Sequence, residues 1–176
     1  PFRASSLMIF PDVEKAGKAV LLLKSGPVTA AEIIDRPGLR SVENEPGMPS
    51  FLKKLSDNAC ALLVETAAEV KDDIKNQIET ILDIIKEIPT EMPVQFTENP
   101  QEYSVYWKIR SGLFPSVGAM RQKGTTVIIE DVAFPIERLD TAISDLQKLL
   151  KESDYNDAVI YGHALERSEE RRVGKE

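Results

Sequence analysis

The sequence is poor in the residues that build several common kinds of functional site. Its 176 residues include one cysteine, Cys60, and one histidine, His163. A single cysteine excludes an internal disulfide and is typical of proteins from a reducing compartment. Because Cys60 precedes the apolar run at 61–64, we interpret it as a buried, unreactive thiol rather than a nucleophile.

Positive charge and long apolar runs are scarce as well. Lysine and arginine total 22 against 29 acidic residues, which gives a net charge of −7 at pH 7. No basic cluster carries interleaved aromatic residues, so we do not expect a nucleic-acid surface. Apolar runs such as 19–23 are far too short to span a bilayer, and no signal peptide opens the chain. We therefore expect a cytoplasmic protein without a transmembrane segment, with peripheral attachment to the inner face of the membrane as an option.

The apolar patterns predict alternating strands and helices in one domain. The length allows a core that buries roughly two-thirds of the unfolded surface. Runs typical of strands lie at 6–10, 28–34, 61–65, 94–96, 124–135 and 159–161, and helical patterns lie at 12–24, 70–88, 98–114 and 136–150. Short helical turns are expected at 38–56 and a turn-rich connection at 115–123. Strand–helix–strand units of this kind build either a doubly wound parallel sheet or an α+β sandwich. Since no glycine-rich nucleotide fingerprint follows a strand, the sequence favours the α+β fold.

The end of the last predicted strand carries the histidine. Residues 159–161 lead directly into Gly162 and His163, which predicts an imidazole at a sheet edge, where a ligand can reach it. The alternative is a histidine that only makes a local hydrogen bond. The regular apolar stripe at 70–88, by contrast, is interpreted as core packing and not as a partner surface.

Several separated motifs, occurring in order, resemble the C-terminal domain of flavin-linked D-2-hydroxy-acid dehydrogenases. They are residues 106–110 (YWKIR), 129–135 (IEDVAFP) with 138–139, and 162–166 (GHALE), with shorter matches at 10–12, 34–36 and 42–44. This FAD-linked oxidase family includes D-lactate dehydrogenase, glycolate oxidase and D-2-hydroxyglutarate dehydrogenase. The chain is most similar to the bacterial branch in which the flavin part is fused to an iron–sulfur part. The resemblance covers residues 1–166.

The resemblance implies a fold and a role for the chain. Members combine an FAD-binding half with a cap built on an antiparallel, ferredoxin-like sheet, and this chain resembles an incomplete cap. FAD would then be held mainly by a missing N-terminal domain, and an iron–sulfur cluster could occur in the parent protein. The implied reaction is the oxidation of a D-2-hydroxy acid such as D-lactate to the 2-oxo acid, with this part supplying substrate and metal ligands.

The resemblance also implies individual site residues. Arg110 corresponds to the arginine that binds the substrate carboxylate, and a guanidinium suits that ligand because it binds bidentately; an exposed helix arginine is the alternative. Arg121 is a second cationic candidate. His163 corresponds to the first histidine of a motif for a divalent metal such as zinc, which would polarise the substrate hydroxyl. No catalytic residue can be assigned.

Four further positions bear on that expectation. Glu130 and Asp131 could add oxygen ligands or orient a partner, or they could be solvated carboxylates at a strand edge. Two polar substrate contacts of the hydroxyglutarate branch fall here on Phe114 and Ile129, which argues for a different hydroxy acid.

The last ten residues depart from the family pattern. The family motif continues to a second histidine, whereas residues 167–176 read RSEERRVGKE. We expect this charged tail to be foreign or disordered. Since the second metal-ligand histidine is absent, the fragment alone is expected to be inactive.

A second hypothesis belongs to another functional class. An acidic domain with one histidine and no complete catalytic set could be a stand-alone ferredoxin-like module. Such a module would bind a small ligand or a partner without catalysis.

Overall fold

The computed structural model describes residues 1–120, 123–128 and 131–166. The four described strands are β1 (Phe2–Phe10), β2 (Ala30–Ile34), β3 (Cys60–Ala68) and β4 (Tyr161–Glu166). The five α-helices are α1 (Val13–Leu23), α2 (Arg36–Val42), α3 (Lys71–Ile85), α4 (Pro100–Met120) and α5 (Leu139–Glu152). Short 3-10 helices lie at Ser50–Lys54 and Ile136–Arg138.

The described strands form one antiparallel sheet in the order β1-β3-β2-β4. β3 lies between β1 and β2, which are joined through α1, so the first three strands form a split β-α-β arrangement. The predicted α+β class is therefore confirmed. β4 pairs with β2 at the far edge, and this pairing brings residues more than 120 positions apart into register.

Helices cover both faces of the sheet. Side chains alternate along each strand, so Met8 and Phe10 face a core with α1, α3 and α5, whereas Ile9 faces a second core with α2 and α4. The stripe on α3 is buried at Ile74, Ile81 and Ile85, of which Ile81 and Ile85 belong to the first core, although Val70 precedes the helix and is exposed. Its interpretation as core packing is confirmed for the buried positions.

Capping aspartates stand at the beginnings of α1 and α2. Asp12 accepts a hydrogen bond from the Lys15 backbone N–H at 2.7 Å, and Asp35 accepts one from Gly38 at 2.9 Å. These aspartates satisfy N–H groups that a first helical turn leaves without partners. Cys60 is buried as expected, and burial raises the pKa of its thiol.

Two predicted strands are absent from the described residues. Residues 94–96 are irregular, and only an isolated bridge between Ser5 and Thr97 forms beside them. Residues 123–128 and 131–135 are also irregular, with Ile128 and Val132 exposed, while 129 and 130 lie outside the described residues. For the described residues of 124–135 the strand prediction was wrong, because β propensity requires a neighbouring strand and a buried face, and these residues have neither.

Two boundaries also differ from expectation. α4 continues through Pro115 to Met120, so 115–120 is helical and not a turn-rich connection. A proline deletes one helical hydrogen bond, yet the turns on either side can continue. β4 begins at Tyr161, so His163 lies within this edge strand and does not follow its end.

No helix in the described ranges is long and apolar enough to cross a membrane. The expected tail at 167–176 lies outside the described residues.

Candidate functional site

β2 contributes a buried carboxylate to the face of the sheet that α4 covers. Within this strand, Ala31 and Ile33 belong to the first core and Ile34 to the second. Alternation therefore directs Glu32 to the α4 side. Glu32 is only 4% exposed. A buried carboxylate is unfavourable unless it is paired, so its partners define the centre of the site.

β4 contributes two side chains next to this carboxylate. His163 lies opposite Glu32 in the register, and Tyr161 lies opposite Ile34. The two residues are separated by one position and therefore share a face of the strand. The register shifts between Ala31 and Glu32, which is a bulge-like irregularity of the kind that redirects side chains at sheet edges.

α4 carries an arginine above these strands. The helix is anchored to the sheet by Ile109 and Leu113 in the second core and by a hydrogen bond of 3.3 Å from the Trp107 indole N–H to Ser5 Oγ. Arg110 follows directly after Ile109 and donates from Nε to Glu32 Oε2 at 2.7 Å. Its guanidinium lies 4.6 Å from the centre of the Tyr161 ring. This separation is within the range of a cation–π contact.

The Glu32 carboxylate also contacts the histidine. His163 Nδ1 pairs with Glu32 Oε1, while Arg110 occupies the other oxygen. The structure thus brings Arg110 and His163 together on one carboxylate, although 53 positions separate them in the sequence. We refer to Glu32, Arg110, Tyr161 and His163 as the Glu32 cluster.

The outer members of the Glu32 cluster are accessible. The side chain of Glu32 is 6% exposed, against 24% for Arg110 and 47% for His163. Both Nη groups of Arg110 and the Nε2 atom of His163 are without a hydrogen-bond partner among the described residues. The cluster can therefore offer a guanidinium fork and a ring nitrogen to a ligand.

The other predicted site residues that the structure describes, Phe114 and Asp131, are not brought into this cluster. Arg121, Ile129 and Glu130 lie outside the described residues. Asp131 is exposed in an irregular segment, and Phe114, one helical turn beyond Arg110 on α4, is 54% exposed. An exposed Phe114 adds no polar contact for a ligand.

Sequence reasoning missed Glu32 and Tyr161. The signal for Glu32 was present, since it is the single charge in the otherwise apolar run at 30–34. Such a charge in a strand interior requires a buried partner. Tyr161 could have been found from its alternation with His163.

A complete metal site is not formed by the part of the chain that the structure describes. No group of three histidine, cysteine, aspartate or glutamate side chains could hold an ion there. His163 would provide one nitrogen, and both oxygens of Glu32 already have partners. The described residues therefore do not fit a metal by themselves, because a metal shell needs four to six ligands.

A separate cavity of about 600 Å³ lies where the N-terminal ends of α1 and α2 approach the C-terminal half of α5. Its buried carboxyl, Asp35, accepts from the backbone N–H groups of Gly38 and Ile160 at 2.9 and 3.0 Å. Burial raises the pKa of Asp35 to about 7, although these donors act in the opposite direction. The lining does not include the Glu32 cluster.

The comparisons with known proteins give one family. The family model described as FAD linked oxidases, C-terminal domain, matches residues 1–168. A search of curated proteins finds no match.

Proposed function

The chain belongs to the family of C-terminal domains of FAD-linked oxidases, and from this membership we propose that it is the substrate-side part of an FAD-dependent D-2-hydroxy-acid dehydrogenase. The coarse assignment, part of an FAD-linked oxidoreductase, follows from the family. The substrate class is our proposal, with D-lactate as the representative substrate. Its main support is the guanidinium of Arg110, whose Nη groups are accessible beside His163.

Arg110 is suited to bind the carboxylate of the substrate. Its Nε is already bonded to Glu32 and its plane lies against Tyr161, so the side chain is held before a ligand arrives. Such preorganisation reduces the entropy lost on binding. The remaining Nη groups form a fork that can donate two parallel hydrogen bonds to a carboxylate.

FAD, when bound, supplies the acceptor for the hydride that leaves the α-carbon. The helices that follow β1 and β2 offer poor sites for its pyrophosphate, because an aspartate side chain occupies the beginning of each. Asp12 accepts from the Lys15 N–H group and Asp35 from the Gly38 N–H group, each in the first turn of its helix. These are the groups that a phosphate would otherwise bind. We therefore propose that a separate FAD-binding domain holds the cofactor.

Our proposal also includes a divalent metal and a cellular location. His163 would contribute one ligand to a divalent metal such as zinc, completed by residues outside the described ranges, and we assign no reaction step to it. Arg121, which lies outside the described residues, is proposed as a second cation near the substrate. We also propose a cytoplasmic location, with peripheral attachment to the inner face of the membrane as an option, and an iron–sulfur cluster elsewhere in the parent protein.

Anaerobic reduction of the flavin tests the proposed substrate class. In the oxidoreductase that contains this chain, D-lactate should bleach the oxidised flavin, whereas propane-1,2-diol, which lacks the carboxylate, should not. Arg110→Lys should raise the KM for D-lactate by about 10- to 100-fold, since hydrogen bonds to charged groups contribute about 1.5–3 kcal/mol.

A matched control is Arg3→Lys. Arg3 pairs with Glu65 at 2.9 Å on the same sheet but lies outside the Glu32 cluster, so its replacement should leave KM unchanged. Equal bleaching by the diol, or an unchanged KM in Arg110→Lys, would contradict the proposal. Saturable ligand binding without any flavin reduction would favour the stand-alone module.

A further inference from the structure

Glu32 is the residue of the site that touches both proposed ligand groups. Its carboxylate accepts from Arg110 Nε at 2.7 Å with one oxygen and pairs with His163 Nδ1 through the other. It is nearly inaccessible, at 6% side-chain exposure, and therefore lies behind its two partners. This arrangement is unlike a surface ion pair, in which both members are solvated.

The chemistry of these contacts fixes which atoms remain available. A carboxylate can only accept hydrogen bonds, so the neutral His163 ring must carry its proton on Nδ1. Its Nε2 then holds a lone pair. Arg110, bonded through Nε, retains both Nη groups for another partner.

We propose that Glu32 is a positioning residue, which sets the Nδ1–H tautomer of His163 and the orientation of the Arg110 fork so that both can engage one carboxylate-bearing ligand. The inference rests on the proposed function for the identity of that ligand. The positioning itself depends only on contacts within the chain. In many metal-ligating histidines a carboxylate accepts the other ring N–H, which orients the imidazole and increases its basicity.

Replacement by glutamine is a sharp test, because it keeps the size of the side chain but halves its accepting capacity. Glutamine has one accepting oxygen and one donating amide group. Arg110 Nε always donates, so in Glu32→Gln the glutamine oxygen should face it. The amide N–H group then faces His163 Nδ1, which can accept only in the Nε2–H tautomer.

The chain's single histidine makes the test direct. Nitrogen-15 labelling of histidine gives the two ring signals of His163 alone, and they are followed to a pH at which the ring is neutral. In the wild-type chain we expect a protonated Nδ1 and an unprotonated Nε2. In Glu32→Gln we expect the population to shift toward the Nε2–H tautomer.

Glu65→Gln provides the matched control. Glu65 is also a strand carboxylate paired with an arginine, and its side chain is 12% exposed. Its replacement should leave the His163 tautomer unchanged. If Glu32→Gln keeps the wild-type tautomer, the proposal is overturned. If that variant does not fold, the wild-type spectrum still decides, because a predominant Nε2–H tautomer there excludes the proposed role.

A second readout separates this inference from the proposed function. D-lactate is titrated into the wild-type and Glu32→Gln chains, and the variant should bind about 10- to 100-fold more weakly, the range expected when one charge-assisted hydrogen bond is lost. A tautomer that depends on Glu32 supports positioning even if D-lactate does not bind, and that failure would then count against the proposed substrate alone. Equal D-lactate affinity in the two chains would overturn the positioning of Arg110.

Discussion

Among individual residues, Asp35 and Glu32 show two outcomes of burying a carboxylate. Glu32 is paired with a guanidinium and an imidazole. Asp35 instead accepts from the backbone N–H groups of Gly38 and Ile160 and has no cation at hydrogen-bond distance among the described residues. Burial accordingly raises its pKa from 3.8 to about 7. The buried carboxylate of the proposed ligand site thus has charged partners, whereas the one at the beginning of α2 has neutral donors.

The raised pKa of Asp35 predicts a pH dependence of stability. Between pH 4 and pH 7 the folded chain keeps a proton that the unfolded chain releases, so the free energy of unfolding should fall as the pH rises through this window. Asp35→Asn removes the titration and should reduce this fall by more than about 1 kcal/mol, since one pKa unit corresponds to about 1.4 kcal/mol. Urea unfolding at a series of pH values measures the effect.

Asp57→Asn is the control for this prediction. Asp57 lines the same cavity but its side chain is 89% exposed and pairs with Arg40. Its replacement should preserve the wild-type pH dependence. A fall of equal size in Asp35→Asn would show that Asp35 does not titrate as described.

At the scale of elements, α1 and α5 approach closely on the side of the sheet away from the Glu32 cluster. Gly17 makes this approach possible, because a Cβ atom built on it would lie 2.7 Å from the Cα of Asp140. Such overlap cannot be relieved by a side-chain rotation alone, since Cα belongs to the backbone. The packing of α5 sets the path of the chain into β4, where His163 lies.

Opposite effects are expected for two glycine-to-alanine changes in helices. Gly17→Ala should destabilise the protein by about 1–3 kcal/mol, the usual effect of overpacking, which exceeds the gain in helix propensity. Gly112→Ala on α4 meets only Val42 Cγ1 at 3.6 Å and should stabilise by about 0.5–1 kcal/mol. Thermal unfolding of both variants provides the measurement, and a stabilising Gly17→Ala would refute the close packing of α1 on α5.

Helices marked by a capping residue or an apolar stripe could be predicted from the sequence, whereas strand pairing could not. Asp12 before an apolar repeat was enough to place α1, and the stripe on α3 identified its buried face. The run at 124–135 had strand propensity but its described residues have no strand beside them. The pairing of β4 with β2 is likewise a property of the assembled sheet, so the contact of Glu32 with His163 could not be derived from spacing alone.

At the scale of the whole molecule, the sheet separates two cores, and the Glu32 cluster lies at the edge of the second. Ile109 and Leu113 pack α4 against the sheet in the second core, while β4 forms the edge of the sheet beside β2. A site between a packed helix and an edge strand is anchored on one side and open on the other. This placement explains how Arg110 and His163 can be both oriented and accessible.

If Arg110 and His163 form the walls of one site for a 2-hydroxy acid, both side chains must respond to the same ligand. The most direct test of this shared site is a titration of the nitrogen-15-labelled chain with D-lactate, followed by NMR at the His163 ring and at the guanidinium of Arg110. We predict that both sets of signals move along one saturation curve with a common dissociation constant, and that propane-1,2-diol moves neither. Signals that follow different curves, or a His163 ring that does not respond while Arg110 saturates, would contradict a shared site.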